Sequence, residues 1–287
     1  MFKIGVMADS FRLPLREGLK KAKELGADGV QIYAVAGEMA PEAMDASARI
    51  DLKGHIAGLG LGISALCGDL GGHGFERAAD NGAKVERSKK IVDLAVDLGT
   101  SVVTTHIGVV PDDPKAPEYA AMRSALAELA AYAAPKGVTF AVETGPESAG
   151  TLRALIDDIA SPGLGVNLDP ANLAMVLRQD PVAAVHALAG KIVHTHAKDG
   201  INIRPCSGKE VYGAFADGTW SRLVEQRGEL FRETPLGEGS VPWPAYLRAL
   251  ADIGFRGYLT IEREAGPDPA ADIARAATFL RARIAAM

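Results

Sequence analysis

The chain has 287 residues, 48% of them hydrophobic and 23% charged, with a net charge of −5. That length can bury one large core, and the acidic balance argues against the basic face that a nucleic-acid binder needs, leaving small molecules as the expected partners. Only Cys67 and Cys206 occur, far apart, which excludes a disulfide framework and a thiolate zinc cluster. The N-terminal Met-Phe-Lys-Ile-Gly-Val enters a strand with no signal-type segment, and no run is apolar enough to span a bilayer, so a cytoplasmic protein is expected.

In chain order, Phe2–Ala8 is an apolar strand-like run bounded by Asp9 and Ser10. Pro14–Gly26 follows with Leu15, Leu19, Ala22 and Leu25 at helical spacing and stops at a glycine. The unit recurs as Asp28–Tyr33 with Pro41–Leu59, Gly62–Leu66 with Asn81–Leu98, and Ser101–Thr105 with Ala116–Ala134. The second half adds Gly137–Val142 with Ser148–Ile159, Gly163–Leu168 with Ala171–Leu188, Lys191–His196 with Pro242–Ile253, and Gly257–Ile261 with Ala270–Ile284.

Strands this apolar leave no solvated face, which predicts a parallel sheet covered on both sides or closed. The count of eight, a length near the roughly 250 residues usual for such barrels, and polar residues clustered after strands favour a single (β/α)8 TIM barrel. The rival doubly wound sheet would carry Gly-x-Gly-x-x-Gly after its first strand, and none is present. One segment interrupts the rhythm. Residues 199–241, between the seventh strand and its helix, are too long for an ordinary loop. They carry Tyr212, Phe215, Trp220, Leu223, Leu230 and Phe231 as apolar anchors. This segment is expected to fold as a lid over the strand ends or as a subunit contact in a homo-oligomer.

Four strands end in groups suited to hold a metal: Glu143 after the fifth, Asp169 after the sixth, His196 in Lys191–Asp199 after the seventh, and Glu262 after the eighth. Side chains at the carboxyl ends of parallel barrel strands point toward one axis. Three carboxylates brought together there repel one another and lose hydration, a conflict that a divalent cation removes. Three oxygen donors and one imidazole suit Mn²⁺ best, with Mg²⁺, Co²⁺ and Zn²⁺ as alternatives. Asp169, followed by Pro170 and a helix, also fits a helix cap. His194 lies on the same side of its strand as His196 but farther from the end, which suits packing beneath the site. His106 ends the fourth strand, where it can contact substrate, whereas His55 and His186 fit helix surfaces and His73 a loop.

With these residues in place, the whole chain resembles the xylose-isomerase-like barrel superfamily of sugar isomerases and epimerases. The matching residues are Glu143, Asp169, His196 in His-Ala-Lys-Asp and Glu262, together with the approach Pro235–Trp243 to the last strand. The resemblance implies one divalent metal on those four residues, with Glu143 and Glu262 as the catalytic pair that moves protons on a carbonyl sugar. Asn172 stands where ketose 3-epimerases carry a substrate-binding histidine, and Arg204 is the nearest match to their arginine after the ligand histidine, so both are carried forward as substrate contacts. The abasic-site endonucleases of the same fold need extra histidines for three zinc ions. Here Asn172 replaces one of them, and between Lys198 and Glu233 basic and acidic residues balance at six each.

The reading is a metal-dependent isomerase or epimerase of a small carbonyl sugar or polyol derivative, working through an enediolate. The alternatives are a lyase of the inosose-dehydratase kind and a non-catalytic barrel subunit. The loop Arg263–Pro269 contains two prolines without N–H donors, and Asp268 is placed to cap the following helix. An unphosphorylated substrate is therefore expected.

Overall fold

The computed structural model describes residues 2–287. Eight parallel strands close on themselves: β1 (Lys3–Met7), β2 (Gly29–Tyr33), β3 (Gly62–Cys67), β4 (Val102–Thr105), β5 (Thr139–Glu143), β6 (Leu164–Leu168), β7 (Ile192–Ala197) and β10 (Tyr258–Ile261). Closure is made where β1 pairs with β10, with Lys3 opposite Tyr258 and Val6 opposite Ile261. The helices between them are α1 (Leu15–Glu24), α2 (Ala46–Gly58), α3 (Ala78–Leu98), α4 (Pro117–Ala133), α5 (Ala149–Ile159), α6 (Pro170–Asn172), α7 (Pro181–Ala187), α10 (Trp243–Asp252) and α11 (Pro269–Ala285). The fold is the single (β/α)8 TIM barrel that the alternation predicts. No helix among the described residues is long and apolar enough to cross a membrane.

The two faces of the strands do different work. Outward residues such as Val30, Ile32, Phe140, Val142, Val166, Leu168, Leu259 and Ile261 are buried against the helices and form the main core. On the inward side, β2, β4, β6, β7 and β10 place Gln31, Thr104, Asn167, His194 and Thr260 in a fully buried layer. They bond to one another, with Gln31 Nε2 donating to Thr104 Oγ1 at 2.9 Å and His194 reaching Asn167 Oδ1 at 2.9 Å and Thr260 Oγ1 at 3.0 Å. Because strand side chains alternate with period 2, the next inward residue along β5, β6, β7 and β10 falls at the strand end or just past it. Those residues are Glu143, Asp169, His196 and Glu262.

Two local departures from the expected elements have physical causes. The helix expected over Ala171–Leu188 is split. A short π turn, Leu173–Leu177, follows α6, Arg178 turns left-handed at φ 54°, and α7 restarts at Pro181 with Asp180 as its cap. Proline supplies no N–H to carry a helix through, so it favours a restart. Similarly, α2 starts at Ala46 rather than Pro41, because the Asp45 carboxylate accepts from Ala48 N at 2.8 Å.

Within residues 199–241 the chain forms β8 (Asp199–Asn202), α8 (Gly208–Ala216), α9 (Trp220–Arg227) and β9 (Phe231–Thr234), with β8 and β9 antiparallel. An aromatic row binds the segment together. The Phe215 ring stacks on Trp220 with centroids 4.5 Å apart, and Trp220 lies 5.3 Å from Phe231. Asp199, buried at the base, accepts from Gly200 N, Gly237 N, Val241 N and the indole Nε1 of Trp243, all between 2.8 and 3.1 Å. This explains the run Pro235–Trp243: its backbone and its tryptophan wrap one carboxylate.

Candidate metal centre and active site

Glu143, Asp169, His196 and Glu262 converge. Each offers one ligand atom, and these atoms lie within 4.8 Å of one another with all four residues buried. His196 Nδ1 sits 3.4 Å from Glu143 Oε1, 3.4 Å from Asp169 Oδ2 and 3.2 Å from Glu262 Oε2. None of the three contacts has hydrogen-bond geometry, and both His196 Nδ1 and Asp169 Oδ2 are buried without a partner among the described residues. An ion ~2.1 Å from each donor separates neighbouring donors by ~3.0 Å, close to the spacing seen here. Unpartnered buried atoms cost about 1–3 kcal/mol each, and the cluster, which does not close by internal bonding, could hold a metal ion.

The surroundings set the state of each donor. His196 Nε2 lies between Gln31 Oε1 at 3.1 Å and Asn167 Nδ2 at 3.2 Å, and with its proton shared with Gln31, whose oxygen can only accept, the Nδ1 lone pair faces the carboxylates. Burial by itself would lower the His196 pKa, but Glu262 and Glu143 overcome it and hold it well above its ordinary value. The field that favours a proton at Nδ1 equally favours a divalent ion. His194 is pushed the other way, well below its ordinary pKa, by burial and by neighbouring His196, and it stays a neutral link between Asn167 and Thr260.

Asp169 makes the helix cap with one oxygen and leaves the other without a partner. Oδ1 caps α6, accepting from Ala171 N at 2.8 Å and Asn172 N at 3.0 Å, while Oδ2 is left for the centre. Glu143 is held by two neutral amides: Asn172 Nδ2 donates to Oε1 and Asn167 Nδ2 to Oε2, each at 3.1 Å. Glu262 instead accepts from Lys198 Nζ at 3.1 Å.

The cluster opens into a cavity of about 380 Å³. His106 stands on one wall. Its Nδ1 bonds Asp69 Oδ2 at 3.1 Å, and its Nε2 is 3.7 Å from Glu143 Oε1 with no hydrogen-bond partner. Burial pulls the imidazole down, yet Glu143 and Asp69 push it up to about 10. Tyr212 and Phe215, from the inserted segment, face the cavity with Met175 and Phe231. Tyr212 lies against His106, its ring centroid 5.6 Å away. Asp217 reaches across to His73 Nε2 at 2.8 Å, tying the segment to the loop after β3.

Of the residues singled out from sequence, Glu143, Asp169, His196, Glu262, His106 and Asn172 are brought together, although Asn172 spends its amide on Glu143 and on Thr144 O. Arg204 is not. It is exposed beside Gly228, outside the cavity, because Ile203 N and Arg204 N both bond Leu230 O and turn the chain outward after β8. Gln31, Asn167, Asp69 and Lys198 were missed. Their signal was a polar residue inside an otherwise apolar strand, as in Gly-Val-Gln-Ile-Tyr and Leu-Gly-Val-Asn-Leu, or one just after it.

A curated relative, the rhizopine catabolism protein MocC of Rhizobium meliloti, is 36% identical over 91 residues, which is 32% of this chain and only 25% of that protein's length. A xylose isomerase domain protein from Planctomyces limnophilus superposes with a TM-score of 0.78 at 26% identity, over 98% of this chain and 96% of that one. An L-ribulose 3-epimerase structure gives a TM-score of 0.73 at 22% identity, covering 100% and 95% of the two chains. The probable 3-DHS dehydratase AsbF from Bacillus anthracis gives 0.74 at 17%, covering 98% and 99%. At such identities the last two speak for the fold. The family model of the xylose isomerase-like TIM barrel matches residues 19–283, and with a barrel closed around the strand-end cluster, the chain belongs to that family.

Proposed function

We propose that the protein is a divalent-metal-dependent isomerase or epimerase of a small, unphosphorylated carbonyl sugar or polyol derivative. The observation that carries this reading is the pair of glutamates, Glu143 and Glu262, entering a cavity from β5 and β10 beside two buried donor atoms that no protein group satisfies. When bound, the ion supplies Lewis-acid stabilisation of a carbonyl oxygen and its neighbouring hydroxyl as negative charge develops. The oxygen-rich donor set favours Mn²⁺.

Glu143 and Glu262 remove and return a proton on the carbon next to the carbonyl. Asn167 and Asn172 fix both oxygens of Glu143, so its carboxylate keeps one orientation through the transfer. His106, held by Asp69, offers Nε2 to a substrate oxygen. The inserted segment acts as a lid, with Tyr212 and Phe215 excluding water from the reacting atoms. The unphosphorylated character rests on Arg263, whose guanidinium is already taken by Asp272 at 2.8 Å and Glu233 at 2.5 Å, and on Asp268, which caps α11.

A dehydratase is the second reading, supported by the likeness to the probable dehydratase, since the same proton removal prepares loss of a hydroxyl β to the carbonyl. A screen of ketoses and keto-polyols in deuterated water with added Mn²⁺ tests both. Solvent deuterium in a product of conserved composition supports the isomerase, and loss of one water supports the dehydratase. Turnover without solvent deuterium means hydride transfer and reduces the glutamates to ligands.

A further inference from the structure

We infer that Lys198 is a further catalytic residue, its ammonium donating a hydrogen bond to a substrate oxygen that gains negative charge. The inference rests on the proposed function. Lys198 follows β7 and continues the inward series His194, His196, Lys198; it is 5% exposed yet lines the cavity. An ammonium has three protons to donate. Glu262 Oε2 takes one at 3.1 Å and Glu264 Oε2 takes a second, while no protein acceptor takes the third.

The charge around the cavity gives that third proton its value. Asp69, Glu76, Glu143, Glu233, Glu262 and Glu264 all line the space, and among the described residues Lys198 is the one lysine or arginine that does. An oxygen acquiring negative charge there meets carboxylates on most sides and needs a cation, and Lys198 stands at the edge of the cluster, on the Glu262 side. Of the two histidines on the wall, His106 offers its Nε2 on the Glu143 side, and His73 has both ring nitrogens used by Glu76 and Asp217, which leaves Lys198 as the donor on the Glu262 side. Neutralising Glu264 gives no reason to bury a lysine, since that side chain is 61% exposed and solvated. A buried ammonium costs several kcal/mol in lost hydration, and here it is placed where a substrate oxygen can return part of that hydration.

Oxalate, a planar dianion shaped like an enediolate, is the probe. Its affinity for the Mn²⁺-loaded protein is measured by calorimetry for the wild type, Lys198→Met and Lys198→Arg, with Mn²⁺ affinity measured separately on each. The expected result is Mn²⁺ affinity held within about threefold and oxalate affinity reduced about ten- to hundredfold in Lys198→Met, the range for losing a hydrogen bond to a charged group. Lys198→Arg, which keeps the charge and the fold, recovers most of the loss. Unchanged oxalate affinity in Lys198→Met overturns the inference, as does Mn²⁺ affinity that falls in step with it, since Lys198 would then serve only the ligand carboxylates. A wild type that binds Mn²⁺ but not oxalate overturns the inference and leaves the metal reading standing. A wild type that binds no Mn²⁺ overturns both.

Discussion

Gln31 and His196 meet across the barrel interior, the Gln31 Oε1 only 3.1 Å from the His196 Nε2, with the strands β1 and β10 between β2 and β7 in the barrel order. A proton on Nε2 satisfies this contact and leaves Nδ1 free. Outer partners of metal-binding histidines are worth about 10–100-fold in metal affinity. Gln31→Leu should therefore weaken Mn²⁺ binding by about that factor while the barrel stays folded, as read by competition against a chelator and by circular dichroism.

One oxygen of Asp169 caps α6 and the other has no partner, so two substitutions should separate the cap from the proposed ligand role. Asp169→Asn keeps an oxygen to cap α6 but removes the charge, and it should lose Mn²⁺ with little change in stability. Asp169→Ala should lose the metal and also about 1 kcal/mol from the missing cap. Metal content together with urea unfolding of the metal-free proteins distinguishes them. Full Mn²⁺ occupancy in Asp169→Ala would sink the assignment of this ligand.

Glu147 sets a pH dependence. It is buried, Val110 N donates to its Oε2 at 3.2 Å, and its Oε1 has no partner. Burial pushes its pKa up from the ordinary 4.5 to about 8, against smaller opposing effects of the Val110 bond and His106. Between these two values the unfolded chain releases the proton and the folded chain keeps it, so stability falls as pH rises from 4.5 to about 8 and levels off above. Glu147→Gln should abolish this slope, leaving stability unchanged near pH 4 and raising it by about 3–5 kcal/mol at pH 8. Denaturant unfolding across that range reads it directly, and identical slopes in both proteins would refute the prediction.

The inserted segment is tied to the loop after β3 by Asp217 and His73. If it works as a lid, Asp217→Ala should speed amide hydrogen exchange in α8 and raise KM more than it lowers kcat, while Mn²⁺ binding is untouched. Unaltered exchange across Gly208–Ala216 would show that this contact does not hold the segment down.

Phosphorylated sugars should gain nothing at this site. With Arg263 engaged by Asp272 and Glu233, a substrate phosphate finds no free guanidinium, so kcat/KM for a sugar phosphate should not exceed that for the unphosphorylated sugar. A hundredfold preference for the phosphate, about 2.7 kcal/mol of transition-state binding, would contradict this.

The site was legible where strand alternation and chain order carry the information. Glu143, Asp169, His196 and Glu262 each end an apolar run, and a parallel barrel turns such ends toward one axis. What stayed hidden depends on partners distant in sequence. Nothing local to Gln31 reveals that it faces His196, 165 residues away. The strands β8 and β9 were missed because Asp-Gly-Ile-Asn and Phe-Arg-Glu-Thr are short and half polar, stabilised mainly by pairing with each other. Arg204 was misplaced because its direction is set by a backbone contact to Leu230 rather than by its distance from His196.

The Asp199 carboxylate gathers both ends of the inserted segment, since Gly200 leaves from it while Gly237, Val241 and Trp243 return to it. The intervening chain is thus an excursion that departs from and rejoins the barrel at one knot. Lengthening the exposed turns of such an excursion costs little in closure entropy, about 0.6 kcal/mol for each doubling of a flexible loop, provided that the buried Val211 and Leu230 keep their places. The turns of the segment that faces the cavity can accordingly vary while the cluster residues at the ends of β5, β6, β7 and β10 stay in register. A graft that keeps Asp199 and the run Gly237–Trp243 would be a practical route to redirecting which molecules this barrel accepts.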